Sequence, residues 1–266
     1  MNNSTFRIGI MLTTRCTLKC KHCSSAIPQH DSKDINKNII FSSLEQIFRI
    51  FDSMEELGIY GGEALLHPDV DEIILEASKY RDKFSHIRLL TNGTIIPKIS
   101  TLDIMKNLPC KIEVMVDDYG RHSTRLDQVL SSLHENEITV RLIHYNETEQ
   151  YCGGWVDLGT DYSYKGYSSE DLDAVYYNCH SRKACLVCWG PALYQCAFAA
   201  SGAILGRVPY VEGDWVDLLF SADIEAKREA AMRLGTRPVE ACKYCNGFDP
   251  ENSPRVPAAE QLQGVL

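Results

Sequence analysis

From residue 8 to residue 144 the chain alternates short apolar runs with helical periods, and this alternation restricts its fold more than any other feature. Ile8-Gly9-Ile10-Met11-Leu12 reads as a buried strand. Residues 41–51 then place Leu44, Ile47, Phe48 and Phe51 at helical spacing, with Ser42 or Ser43 as the N-cap. Further strands are expected at 57–60, 86–91, 111–116 and 138–144, and helices at 69–80, 101–108 and 123–134. Strands that alternate with helices imply a parallel sheet with right-handed crossovers. The expected fold is therefore α/β, a partial (β/α) barrel whose chemistry sits at the C-terminal strand ends.

Those strand ends carry distinctive residues. Cys16, Cys20 and Cys23 follow the first strand in the spacing C-x3-C-x2-C. Thiolates are the usual ligands of iron–sulfur clusters, and a four-iron cluster normally takes four. A loop with three either has a remote fourth ligand or leaves one iron open. A zinc knuckle is the alternative, but zinc sites generally close with two C-x2-C pairs. The second strand runs into Tyr60-Gly61-Gly62-Glu63, and the third ends in Leu89-Leu90-Thr91-Asn92-Gly93.

In this order and spacing, the three motifs resemble the radical S-adenosylmethionine enzymes over roughly the first 145 residues. The resemblance implies a (β/α)6 radical-SAM barrel in which the triplet holds a [4Fe–4S] cluster. Gly61, Gly62 and Glu63 then bind the methionine amino group of the cofactor, and Thr91 and Asn92 lie beside its ribose. A reduced cluster in this family cleaves S-adenosylmethionine to methionine and a 5′-deoxyadenosyl radical, which takes a hydrogen atom from the substrate. His22 stands where the family has Phe, Tyr or Trp, and it keeps a flat ring. Arg141, on a later strand, is a candidate for the methionine carboxylate, with a surface ion pair as the alternative. Of Asp117 and Asp118, one is expected to bond the ribose or a substrate hydroxyl unless both cap a turn; His144 and Tyr145 are placed at the same mouth.

A second cysteine set follows. Cys179, Cys185, Cys188 and Cys196 lie within eighteen residues, and Cys242 and Cys245 form a C-x2-C pair. Residues 185–196 read as a hairpin turning at Gly190-Pro191, and 222–234 as a helix. This pattern resembles the twitch module of the SPASM/twitch group, a small C-terminal domain with one auxiliary [4Fe–4S] cluster. Cys196, Cys242 and Cys245 are the expected ligands, with Cys179 as the fourth and Cys185 as its rival; a zinc site is the alternative. Cys188 and Cys110 read as buried hydrophobes. The expected division is a barrel core at 1–150, a connecting segment and substrate loop at 151–178, the auxiliary-cluster domain at 179–248 and a tail at 249–266. Cys152, flanked by glycine, is a candidate hydrogen-atom donor or a packing residue.

A net charge of −9 opposes nucleic-acid binding, which needs a basic footprint. No apolar run is long enough for a membrane span. Eleven cysteines, an odd count without a signal-like start, suit reduced metal ligands and a cytoplasmic protein. Small size and one auxiliary cluster resemble the radical dehydrogenase that oxidises an aminocyclitol. The expected reaction is oxidation or epimerisation of a hydroxyl-bearing small molecule, a sugar or cyclitol, with a flavodoxin- or ferredoxin-type electron donor. Peptide modification is the second reading, and a non-catalytic iron–sulfur or zinc protein the third. Peptide-modifying relatives usually carry an added recognition domain, and a cluster loop sixteen residues from the start leaves no expected room for one at that end.

Overall fold

The computed structural model describes residues 4–145, 153–220 and 223–263. Five strands and four helices alternate first: β1 (Ser4–Met11), α1 (Lys37–Ile50), β2 (Ser53–Tyr60), α2 (Val70–Ser78), β3 (Phe84–Thr91), α3 (Ile99–Lys106), β4 (Ile112–Asp118), α4 (Leu126–Glu135) and β5 (Thr139–His144). There follow β6 (Trp155–Val156), α5 (Ser169–Asn178), α6 (Ser181–Ala184), β7 (Leu186–Trp189), β8 (Ala192–Tyr194), α7 (Ala197–Ile204), β9 (Trp215–Asp217), α8 (Ile224–Arg233) and β10 (Arg255–Val256).

The main sheet has the order β5-β4-β3-β2-β1-β7-β8-β9. β1 to β5 run parallel, each beside its sequence neighbour. The sixth parallel strand is β7, and it joins at β1 rather than beside β5. The hairpin of the second cysteine set therefore continues the barrel sheet; its two-residue turn, Gly190-Pro191, places glycine first at φ +63, as a twist-compatible turn requires.

The two faces of the parallel strands differ. Ile8, Ile10, Leu57, Ile59, Leu89 and Val114 face the helices and are buried against residues such as Ile40, Leu44 and Ile47 of α1. Each such side chain contributes about 1.5–3 kcal/mol on burial. The opposite face carries Arg7, Glu56 and Arg88. Arg7 Nε lies 3.0 Å from Glu56, Arg88 pairs with Glu56, and Arg88 Nε lies 2.7 Å from Glu113. This buried network explains why β2 begins at Ser53, not at residue 57: its polar start masks a strand whose charges are paired inside the barrel.

Two further differences are local. Helix α1 starts six residues before Ser43 because Asn36, not Ser42 or Ser43, caps it through a 2.9 Å bond from Asn38 N. Ser43 is buried and donates to Gly190 O at 3.0 Å, tying α1 to the hairpin turn. Helix α5 occupies part of the expected connecting segment, and α7 a stretch to which the sequence assigns no element. Ser168 caps α5 and Cys196 caps α7, the latter accepting from Ala199 N through sulfur.

Candidate active site

The ladder between β1 and β2 continues past both strand ends and sets the cysteine loop against the glycine pair. Leu12 N donates to Tyr60 O, Gly62 N to Thr13 O and Glu63 N to Arg15 O, each at 2.8 Å. A Cβ on Gly62 would meet Arg15 O at 2.4 Å and Cys16 Cβ at 2.8 Å; one on Gly61 would meet Thr13 O at 2.9 Å. The glycines are thus required by the approach of the loop backbone itself.

The third motif closes the arrangement. Glu63 is 1% exposed; its Oε1 accepts from Leu65 N at 3.1 Å, and its Oε2 from Thr91 Oγ1 at 3.0 Å and Asn92 N at 2.9 Å. Asn92 Nδ2 donates to Cys16 Sγ at 3.6 Å and to Thr17 Oγ1 at 3.2 Å. Triplet, glycine pair and Thr-Asn are one hydrogen-bonded unit. Burial raises the Glu63 carboxyl to about 7 despite these three donors, since the charged form loses its water. Burial likewise pushes the Cys16 thiol to about 11 and Cys20 to about 12.

The paired acids at the end of β4 part company. Asp118 Oδ1 accepts from Gly120 N at 2.8 Å, and its Oδ2 lies 2.9 Å from His144 Nδ1, so both residues serve the turn rather than the mouth. Asp117 faces inward. Its Oδ2 accepts from Tyr119 Oη at 3.2 Å, while Oδ1 is buried with no hydrogen-bond partner among the described residues. Burial, with Glu63 adding to it, raises Asp117 to about 7. Tyr119 stacks on Tyr145 at 5.3 Å, and Trp155 meets both edge-on. Trp155 carries no signal in the sequence; its place depends on β6, a strand too short to leave a periodic pattern.

A cavity of about 490 Å³ joins these features to the second cysteine set. Its wall includes Cys16, Cys20 and Cys23, then Gly61, Gly62, Thr91, Asn92 and Asp117, and also Cys179, Cys196, Cys242 and Cys245. Burial raises Cys196 to about 12 and Cys245 well above the usual thiol range; in both, Cys179 and Cys242 are near enough to add to the shift. Cys185 also borders the cavity but turns toward Gly9, Arg7 and Glu56. Cys188 is 1% exposed in the core, and its thiol donates to Gly190 O. Arg141 sits on β5 opposite Met115 and is not part of the cavity wall. His22 does line it, between Asp157 at 3.3 Å and Glu260 at 3.8 Å. Cys152 lies outside the described residues.

Among the described residues, no three His, Cys, Asp or Glu are drawn together around a single-ion position. No helix among them is long and apolar enough to cross a membrane.

Residues 10–143, half of the chain, match the family model of the Radical SAM superfamily. The antilisterial bacteriocin subtilosin biosynthesis protein AlbA of Bacillus subtilis (strain 168) is 32% identical over 130 residues, which are 47% of this chain and 25% of AlbA. The GTP 3′,8-cyclase of Clostridium botulinum (strain Okra / Type B1) is 22% identical over 260 residues, 90% of this chain and 75% of the cyclase. The chain thus spans only about a quarter of AlbA. In fold it is similar to BtrN in complex with AdoMet and 2-DOIA, with a TM-score of 0.55 at 14% identity over 98% of this chain and 100% of BtrN. It is also similar to anSMEcpe with bound AdoMet and Kp18Cys peptide, with a TM-score of 0.53 at 14% identity over 91% of this chain and 86% of that one. The chain belongs to the radical SAM superfamily, and with that family come S-adenosylmethionine and a [4Fe–4S] cluster.

Proposed function

We propose that this chain is a two-cluster enzyme of the SPASM/twitch group that takes a hydrogen atom from a hydroxyl-bearing small molecule and so oxidises or epimerises it. The observation that carries the reading is that both thiol sets line one and the same cavity. Its volume of about 490 Å³ is in the range of small-ligand pockets.

The residues fit the groups assigned to them. Cys16, Cys20 and Cys23 offer soft thiolates, one fewer than a four-iron cluster normally takes, which leaves a position for S-adenosylmethionine. Glu63, buried behind the wall formed by Gly61, Gly62, Thr91 and Asn92, holds Thr91 and Asn92 in place through its three accepted bonds and would put its carboxylate charge behind the methionine ammonium. Asn92, already bonded to Cys16, would orient the ribose side. Cys179, Cys196, Cys242 and Cys245 would hold the auxiliary [4Fe–4S] cluster, with residues 179–248 as its module; Cys185, turned toward Gly9, has no such company. When bound, the first cluster and S-adenosylmethionine supply hydrogen-atom abstraction, with the electron coming from a flavodoxin- or ferredoxin-type donor.

Asp117, expected to bond the cofactor ribose or a substrate hydroxyl, suits a hydroxyl-bearing ligand in either case. A buried carboxylate oxygen without a donor is costly, and a ligand hydroxyl reaching Oδ1 would relieve that cost while Tyr119 holds Oδ2. Tyr119, Tyr145 and Trp155 keep water from that side of the wall. The BtrN complex, which matches along its whole length, contains 2-DOIA and supports a small-molecule substrate. A peptide substrate is the second reading. It is favoured by AlbA, named for bacteriocin biosynthesis, and by the peptide bound to anSMEcpe.

Anaerobic reconstitution tests the proposal: about eight irons per chain, four for each cluster, with S-adenosylmethionine cleavage on reduction. Four or fewer irons, or zinc at the quartet, removes the second cluster from the proposal. No cleavage under strong reductant points to a non-catalytic protein. Deuterium transfer into 5′-deoxyadenosine from labelled cyclitols and sugars, but not from peptides, identifies the substrate class; the reverse result selects the peptide reading.

A further inference from the structure

Residues 255–263 run from β6 to the cysteine loop and lie along it. β10 pairs with β6 through Arg255 opposite Val156 and Val256 opposite Trp155. The chain then runs antiparallel to the loop, with Gln261 opposite Cys20. Lys21 N donates to Glu260 O at 2.7 Å, and Leu262 N to Lys19 O at 2.9 Å. Ala259, fully buried, packs with Leu18 and Cys20.

Within this strap the side chain of Gln261 is held at three points. Oε1 accepts from Lys19 N at 2.7 Å; Nε2 donates to Ala259 O at 2.6 Å and to Cys20 Sγ at 3.5 Å. The amide can face only one way. Lys19 N–H needs an acceptor, which puts the oxygen toward it and both amide hydrogens toward Ala259 and the sulfur. Two residues 241 positions apart in sequence are thus joined donor to thiol.

We infer that Gln261 is a positioning residue for the Cys20 thiolate, whose hydrogen bond makes the cluster held by the triplet easier to reduce. This rests on the proposal that Cys16, Cys20 and Cys23 hold that cluster. Hydrogen bonds to ligating sulfurs are among the factors that set cluster potentials. Reduction adds negative charge, part of which resides on sulfur, so an N–H aimed at Cys20 stabilises the reduced form more than the oxidised one. Cys20 is 8% exposed, and in such surroundings the bond is stronger than in water. Because backbone bonds on both sides anchor the strap, the donor is in place before the electron arrives.

The sign of the effect separates this role from that of a mere cover. Peeling the strap away would wet the cluster, and water stabilises the more highly charged reduced form, which moves the potential upward. Losing only the donor moves it downward.

The test uses the full chain, reconstituted anaerobically, as wild type, Gln261→Met and Gln261→Glu, with redox titration of the electron paramagnetic resonance signal that responds to S-adenosylmethionine. Gln261→Met is expected to lower the reduction equilibrium about tenfold, 59 mV for one electron, and Gln261→Glu to lower it further, since an anion replaces the donor. Pulsed measurements on wild type carrying 15N in glutamine side chains should show a nitrogen coupled to the reduced cluster that Gln261→Glu lacks. A potential unchanged or raised in both variants, or no such coupling in wild type, overturns the inference. Iron missing from the triplet of the wild type refutes the underlying proposal, and this inference with it.

Discussion

Gly62→Ala puts the geometry of the cysteine loop to a direct test. The added methyl would sit 2.4 Å from Arg15 O and 2.8 Å from both Arg15 C and Cys16 Cβ. The first two are backbone atoms and cannot rotate aside. The loop must move, and with it the bonds from Gly62 N to Thr13 O and from Glu63 N to Arg15 O. Overpacking of this kind costs about 1–3 kcal/mol, and each weakened bond adds up to about 1 kcal/mol. A loss of about 3 kcal/mol lowers the melting temperature of a chain this size by roughly 6–12 °C. Gly58→Ala is the matched control: it lies on β2, four residues before Gly62, and its nearest neighbour would be Gly9 Cα at 3.4 Å, an ordinary contact. It should melt within roughly 3 °C of wild type. Anaerobic thermal unfolding reads the stability, and iron analysis reads the site: Gly62→Ala should keep about four of eight irons, those of the quartet. A Gly62→Ala chain with wild-type melting and full iron would refute the reasoning, and so would equal losses in both variants.

Burial lifts Glu63 from 4.5 to about 7, so the ligand-free folded protein keeps a proton that the unfolded chain releases across that window. Stability should therefore fall as pH rises from about 4.5 to about 7, by roughly 3 kcal/mol from Glu63. Glu63→Gln should flatten that slope in denaturant titrations, whatever it does to the level. Cys242→Ser should lower iron by about half, to the four of a single cluster, while Cys188→Ala, in the core, should keep iron and lose thermal stability. Ser43→Ala should cost about 1 kcal/mol by leaving the Gly190 carbonyl with only the weaker Cys188 thiol donor, read as a melting shift with iron content unchanged. Asp117→Asn should retain S-adenosylmethionine cleavage but slow deuterium transfer from a hydroxyl substrate; unchanged transfer would remove Asp117 from the substrate contacts.

The first five strands were legible because their outer faces repeat apolar residues with nothing to obscure them; Ile87, Leu89, Val114 and Val116 are cases in point. Where the inner face intrudes, legibility fails. Glu56 lies in the middle of β2 and reads as solvent-facing until Arg7 and Arg88 are seen beside it. Asn36 is hard to recognise as the cap because the serines nearer the apolar run are better placed locally. The motif residues were found from their own spacing, yet the bonds that lock them, such as Asn92 to Cys16, span 76 positions. Gln261 left no local trace at all. Strands of two or three residues, β6 and β9, carry too few alternations to stand out.

The position of β1 in the sheet has a consequence for how the chain can be divided. Ile8 to Met11 pair with Leu57–Tyr60 of β2 on one side and with Leu186–Trp189 of β7 on the other. A chain cut after β5 would leave β1 with a bare row of amides and carbonyls on an apolar, uncovered edge. Such edges invite pairing between molecules. The region that matches the superfamily is for this reason not a detachable unit. Its solubility depends on a hairpin made more than forty residues later, and truncation should yield aggregates in place of a smaller enzyme.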